Sequence, residues 1–171
     1  MFRADDKATR EGFTLVEILI TLAILGILVV IAVSNFGGMN EKYKVEAETK
    51  QLYADLMDAR GRAMQRNRAS LVQISDNNYQ TYEDTSPAPD GDGSLQNTDT
   101  LITNTNVSHA IATGNIVVPL SFNFNRNGIA SVTGFIRFSS TAQPDYDCIW
   151  IRATRIKMGQ YNATGNACAE K

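Results

Sequence analysis

The sequence predicts an α+β protein, with a long N-terminal helix, membrane-spanning in its first half, packed on a C-terminal antiparallel β domain. Three observations carry that prediction. Residues 13–33 are nearly unbroken hydrocarbon, interrupted by one carboxylate, Glu17. Residues 40–68 contain no proline, and their apolar positions recur at helical spacing. After Ala69 the period changes to alternation, punctuated by turn formers. With 171 residues, a net charge of −2 and 20% charged residues, the chain is sized for one ordinary domain with its own core. Its balanced charge singles out no class of partner.

The apolar segment comes first. At about 1.5 Å per residue, residues 13–33 span about 30 Å, the thickness of a bilayer core. A secretory signal peptide has an apolar stretch of about 7 to 15 residues with a small-residue cleavage site after it. Here the stretch is longer, no such site follows it, and Gly12 stands before it. A plain membrane anchor accounts for the hydropathy but not for Glu17. A carboxylate in hydrocarbon costs roughly 2.5 to 3.5 kcal/mol on insertion scales, and such residues usually have a partner and a purpose.

The helix is expected to continue to Arg68. Val45, Leu52, Leu56, Ala59 and Ala63 form an apolar stripe suited to packing on the domain's own sheet. Arg60, Arg62, Arg66 and Arg68 crowd the helix end, where cations suit the macrodipole. They face either water or an anionic partner. Leu71, Ile74, Tyr79 and Tyr82 lie in short strands around the turn Asp76-Asn77-Asn78, and residues 84–99 form a loop rich in turn residues. Further strands are expected at 101–107, 116–125, 131–139 and 148–158. Leu120, Phe122 and Phe124 share one face, and Asn127-Gly128 is a hairpin signal.

Nothing in the chain assembles into catalytic machinery. His109 is the sole histidine and has no spaced partner for metal or triad chemistry. Asp90-Gly91-Asp92-Gly93 has a calcium-like flavour without the EF-hand pattern, and an acidic turn is the simpler reading. There is no phosphate-binding glycine loop of the P-loop kind. No enzyme activity, metal or cofactor is expected, and any ATP-driven step would belong to another protein.

The stretch Glu11-Gly12-Phe13-Thr14-Leu15-Val16-Glu17 resembles the cleavage and methylation motif of type IV prepilins and type II secretion pseudopilins. The resemblance implies a leader at 1–12, cut between Gly12 and Phe13 by a prepilin peptidase that also methylates the new amine of Phe13. It implies a transmembrane and filament-core helix at 13–34, an amphipathic continuation at 35–68 and a periplasmic β domain at 69–171. The chain would sit in the bacterial inner membrane as a single-pass protein and enter a filament with other pilin or pseudopilin subunits. Glu17 would pair with a neighbour's N-terminal amine, removing an unpaired carboxylate from an apolar setting. Two departures stand out. The leader carries Arg3, Lys7 and Arg10 against Asp5, Asp6 and Glu11, and is neutral where such leaders are usually basic. Ser34 stands where many family members have proline, so any helix break falls to Gly26 or to Gly37-Gly38.

Residues 58–68, followed by a strand, resemble the "AR-x-x-A…R-N" helix end of the GspH/FimT group, and residues 124–128 are similar to its F-x-x-x-G segment. Residues 84–115 have no assignment in that comparison. The group implies a minor component, either near the tip of a type II secretion pseudopilus or in type IV pili. Some of the pilin type bind DNA through a C-terminal Gly-Arg-x-Arg element. The corresponding segment here is Thr154-Arg155-Ile156-Lys157, preceded by Arg152. A strand places Arg155 and Lys157 on one face, spaced to meet phosphates. Thr154 in place of glycine and Lys157 in place of arginine weaken the match, and a solvated strand edge is the competing reading. In an exported domain the two cysteines, Cys148 and Cys168, read as one disulfide, which closes a loop of about 20 residues worth about 3 kcal/mol. A membrane-anchored domain that never assembles is the reading from another class.

Overall fold

The computed structural model of the protein describes residues 12–89, 91–114 and 119–171, with side chains described for all of these except 33–37. The expected leader, apart from Gly12, and Asp90 of the acidic turn lie outside the described residues. So does most of the first part of the strand expected at 116–125. The fold is α+β. Helix α1 (Leu15–Arg66) is followed by β1 (Ser70–Ile74), β2 (Asn78–Glu83), β3 (Thr100–Asn106), β4 (Ile111–Thr113), β5 (Leu120–Phe124), β6 (Gly134–Phe138), β7 (Cys148–Arg152), β8 (Arg155–Asn162) and β9 (Ala167–Glu170). The chain divides into two units, Met1–Met39 and Asn40–Lys171, and α1 contributes residues to each.

In the first unit, Leu15–Ala32 is long and apolar enough to cross a bilayer. Its large side chains, from Leu15 to Ile31, are all exposed. Gly26, Gly37 and Gly38 are helical like their neighbours, so none of them breaks α1. The physical reason is size of effect. An interior glycine costs a helix about 1 kcal/mol relative to alanine, against about 3 for proline. With Ser34 in the proline's place, no residue here is strong enough to end the helix.

In the second unit, the stripe behaves as its spacing predicts. Val45, Leu52, Leu56, Ala59 and Ala63 are buried. They share one core with Val72, Ile74, Tyr79, Phe122 and Phe124 of one sheet and with Ile136, Phe138, Ile149, Ile151 and Ile156 of the other. The first sheet has the order β3-β2-β1-β5 and the second β4-β6-β7-β8-β9. Every strand pair is antiparallel. Leu120, Phe122 and Phe124 point alternately into the core, as expected for a half-buried strand. The β1–β2 hairpin pairs Ile74 with Tyr79, and the Ser75 N–H donates to the Asn78 carbonyl at 2.8 Å.

Several strand boundaries differ from expectation. The single strand expected at 148–158 is two, β7 and β8, joined by Ala153-Thr154 with Arg152 opposite Arg155. The two-residue connection shifts the phase of the apolar pattern, from Ile149 and Ile151 to Ile156 and Met158, and that shift is the mark the turn leaves in the sequence. β4 and β9, of three and four residues, are too short to show a period. Asn127-Gly128 does form a turn. Gly128 has φ +71°, and the Asn125 side chain accepts from the N–H groups of Asn127 and Ile129 at 2.9 and 3.0 Å. The turn closes the antiparallel bridge Phe124–Ala130, with the Asn125 N–H donating to the Ile129 carbonyl at 3.0 Å and the Ser131 N–H to the Asn123 carbonyl at 2.9 Å, after which the chain crosses from the first sheet to the second. It is therefore a short hairpin that also serves as the corner between the sheets. Gly128 is also packed there, since a Cβ would stand 2.8 Å from Met64 Sδ.

The loop at 84–99 is organised by two carboxylates. Asp99 accepts from the N–H groups of Thr85, Ser86 and Gln96 at 2.7 to 3.1 Å, and Asp84 accepts from Gly93 at 2.6 Å. Asp92 accepts from Ser94 N–H and from the Gln96 amide at 2.9 and 2.8 Å, which makes it a turn residue. Arg66 and Arg68 both reach Glu83, at 3.1 and 3.2 Å, so the end of α1 is tied to the end of β2. These two arginines are engaged within the domain.

Candidate processing and assembly site

The start of α1 is set by Thr14 and the first turn that follows it. The Thr14 hydroxyl accepts from Glu17 N–H at 3.2 Å, and the Thr14 carbonyl accepts from Ile18 N–H at 3.2 Å, so Thr14 caps the helix. Glu17, three residues on, completes the T-x-x-E spacing of a capping box and lies in the first turn, where the macrodipole favours a negative charge. Glu17 is exposed, and its carboxylate has no partner among the described residues. Ahead of it Phe13 is 79% exposed. Beyond its two chain neighbours, nothing comes within 4 Å of the position a Cβ at Gly12 would take. The Gly12–Phe13 peptide bond is thus accessible, next to a helix that begins immediately after it. What this arrangement offers chemically is a reachable bond and an exposed acid at the head of an exposed apolar surface.

The C-terminal cations form a second cluster. Arg152, at the end of β7, and Arg155 and Lys157, on β8, converge on one carboxylate, Glu170 of β9, at 3.2, 3.3 and 3.1 Å. Arg152 and Arg155 stand directly opposite each other in the hairpin, a pairing of like charges that is unfavourable alone. Glu170 offsets it. The Lys157 ammonium, hydrogen-bonded to the carboxyl, holds Glu170 below its ordinary value despite partial desolvation, and the two arginines act in the same sense. Thr154 lies in the two-residue connection and takes no part. The same outer face carries aromatic rings. Phe135 stacks on Trp150 with centroids 5.7 Å apart, Arg152 lies 5.5 Å from the Trp150 ring, and Arg137 lies 4.2 Å from that of Tyr161. Sequence reading placed Arg155 and Lys157 on one face but missed Glu170. The missing signal was the hairpin turn, which brings β9 alongside β8.

Cys148 and Cys168 are joined in a disulfide, with Cα atoms 6.0 Å apart. The bridge links β7 to β9 and passes over β8 at Gly159, which pairs with Cys148 on one side and Glu170 on the other. A Cβ at Gly159 would lie 3.1 Å from Cys168 Sγ and 2.2 Å from the Ala169 carbonyl oxygen.

His109 has partners that sequence spacing did not disclose. Its Nε2 is 2.7 Å from Glu41 Oε1, and its Nδ1 is 2.7 Å from Glu48 Oε2. A sequence signal existed. Glu41 and Glu48 fall on the helix face of Val45 and Leu52, where two acids on an apolar stripe call for a partner.

Comparison with known proteins adds one finding. Residues 7–33 match the family model described as the prokaryotic N-terminal methylation motif. That match supports a type IV pilin-like precursor, and the N-terminal apolar helix fits a membrane anchor of the pilin kind. The motif implies processing by a prepilin peptidase and assembly with other pilin subunits. The matched stretch covers the head of the chain and leaves the β domain unmatched. No curated protein and no solved structure matches the chain.

Proposed function

We propose that this protein is a minor pilin-like structural subunit, a pseudopilin of a type II secretion pseudopilus in the GspH/FimT group. It is cut between Gly12 and Phe13, methylated at Phe13 and inserted in the bacterial inner membrane with its β domain in the periplasm. The observation that carries this reading is the exposed apolar helix with Glu17 exposed in its first turn and without a partner among the described residues, directly after an accessible Gly12–Phe13 bond. In lipid the carboxylate is costly. In a filament it meets the amine of the next subunit, and helix–helix contacts replace lipid contacts. The role is structural, and its chemistry is performed on the chain by the peptidase rather than by the chain.

A test is co-expression with a prepilin peptidase, followed by intact mass and N-terminal sequencing. Wild type should lose residues 1–12 and gain a methyl group on Phe13. Gly12→Ala should retain its full mass. Glu17→Ala should be processed but fail to enter filaments. A Gly12→Ala chain of unchanged mature mass relative to wild type would overturn the processing assignment.

A second reading, a FimT-like minor type IV pilin that binds DNA, is favoured by one feature. Arg137, Arg152, Arg155 and Lys157 share the outer face of the second sheet with Trp150 and Tyr161, the combination of cations and rings that takes a single strand. Glu170 stands against it, because it already occupies three of those cations. The identity of genes alongside this one, secretion or piliation, discriminates the two readings.

A further inference from the structure

We propose that His109 is a pH-operated clasp that fastens the connection between β3 and β4 to helix α1, closed when the imidazole is protonated and opened on its Glu41 side when it is not. The argument starts from donors and acceptors. Both ring nitrogens lie 2.7 Å from a carboxylate oxygen, Nδ1 from Glu48 and Nε2 from Glu41. A neutral imidazole has one N–H and one lone pair, so it satisfies one of two ionised carboxylates and turns its lone pair on the other. Only the imidazolium donates to both. The geometry is that of a cation between two anions, with the His109 side chain only 10% exposed.

The two acids are held unequally, which sets where the clasp opens. Glu48 also accepts from the N–H groups of Ser108, at 2.7 Å, and of His109, at 3.3 Å. Three donors fix it, and its side chain is 18% exposed. Glu41 is 41% exposed, and His109 is the partner the structure shows for it. Loss of the proton therefore releases Glu41 to water and leaves Glu48 in place. The rest of the connection is tied down by backbone bonds. Val107 N–H donates to Asn77, Ile111 N–H to Asp76, and Ser139 N–H to the Ala110 carbonyl.

The charged groups around the clasp are few. From α1 come Glu41 and Glu48. From the β1–β2 turn comes Asp76, which meets the connection through its backbone carbonyl. From β6 comes Arg137, which lines an open pocket with Glu41 and rests on the Tyr161 ring. Burial disfavours the imidazolium, but the hydrogen bonds to Glu48 and Glu41 outweigh it and hold the His109 pKa above 6.5. A raised histidine pKa stabilises the closed form fully below the unfolded value, and that stabilisation is lost as pH rises through the folded value. The clasp is closed in mildly acidic solution and opens toward the alkaline side.

The test is an NMR titration of the full chain in detergent micelles, purified without a histidine tag, so that the one imidazole reports alone. The imidazole nitrogens should titrate above the value of an unstructured histidine peptide. Glu48→Gln and Glu41→Gln should each lower the midpoint, Glu48→Gln by more. The Glu41 side-chain carboxyl signal should step across the same pH range in wild type and show no such step in His109→Gln, while amide protection at Ser108 and His109, corrected for intrinsic rate, stays level because Glu48 still holds both N–H groups. A midpoint at or below the peptide value, or one unmoved by both Gln variants, overturns the clasp. So does a Glu41 carboxyl signal that stays flat through the titration.

Discussion

Gly159 has no side chain because the space is taken. The disulfide runs over it and the Ala169 carbonyl presses on it, so Gly159→Ala must displace backbone or bridge. The expected cost is about 1 to 3 kcal/mol, typical of overpacking, read as a lower midpoint in denaturant unfolding. Glu170 is a residue of the opposite kind, a small change with a functional readout. If the cationic face takes polyanions, Glu170→Gln should tighten binding to a short single-stranded DNA in an anisotropy titration. Arg155→Ala/Lys157→Ala should weaken it and flatten its salt dependence by roughly 0.7 per lost phosphate contact. Absence of binding in every variant at low salt would leave the purely structural role. Neither residue was legible in the sequence. Gly159 looked like any strand glycine, and Glu170 gains its meaning only from three cations brought in by the register of β7, β8 and β9.

Helix α1 is the element the sequence described best. Its burial pattern follows the 3.6-residue period in the second unit, and Leu52 and Leu56 are fully buried within it. Leu52→Ala should cost about 2 to 5 kcal/mol, the usual range for a leucine cavity, while the equivalent change at exposed Met64 should cost far less. The same element hid two facts. Glu41 and Glu48 sit on the apolar face because a residue some 60 positions away meets them, and no local window contains that pairing. Strands were legible in proportion to their length. β2 and β5 alternate clearly, β1 is buried at four of its five positions, and β4 and β9 are recruited by neighbours they could not announce. The Thr14 cap was not drawn from the sequence, although it lies within the residues that match the methylation motif.

At the scale of the molecule, two kinds of surface divide the chain. The first unit exposes apolar side chains from Leu15 to Ile31, and the second buries its own. That division is what composition averages concealed and what the hydrocarbon run revealed. It predicts that the full chain needs detergent for monodispersity and that extraction into buffer alone gives aggregates, checked by light scattering with and without micelles. Stability of the second unit should rest partly on the bridge between Cys148 and Cys168. Replacing both with serine should cost about 3 kcal/mol by the chain-entropy argument, measured as a shift in the unfolding midpoint under otherwise identical conditions.

That bridge also decides how the sheet would carry a load. A pull on β9 beyond Cys168 passes through sulfur directly to β7. The intervening hairpin, with β8 in it, is bypassed and stays slack. With a sequence separation of 20 between the cysteines and about 3.5 Å per extended residue, about 70 Å of contour length is withheld from any stretching experiment until the bridge is reduced. An oxidised molecule extended by optical tweezers should fall short of its reduced counterpart by that amount.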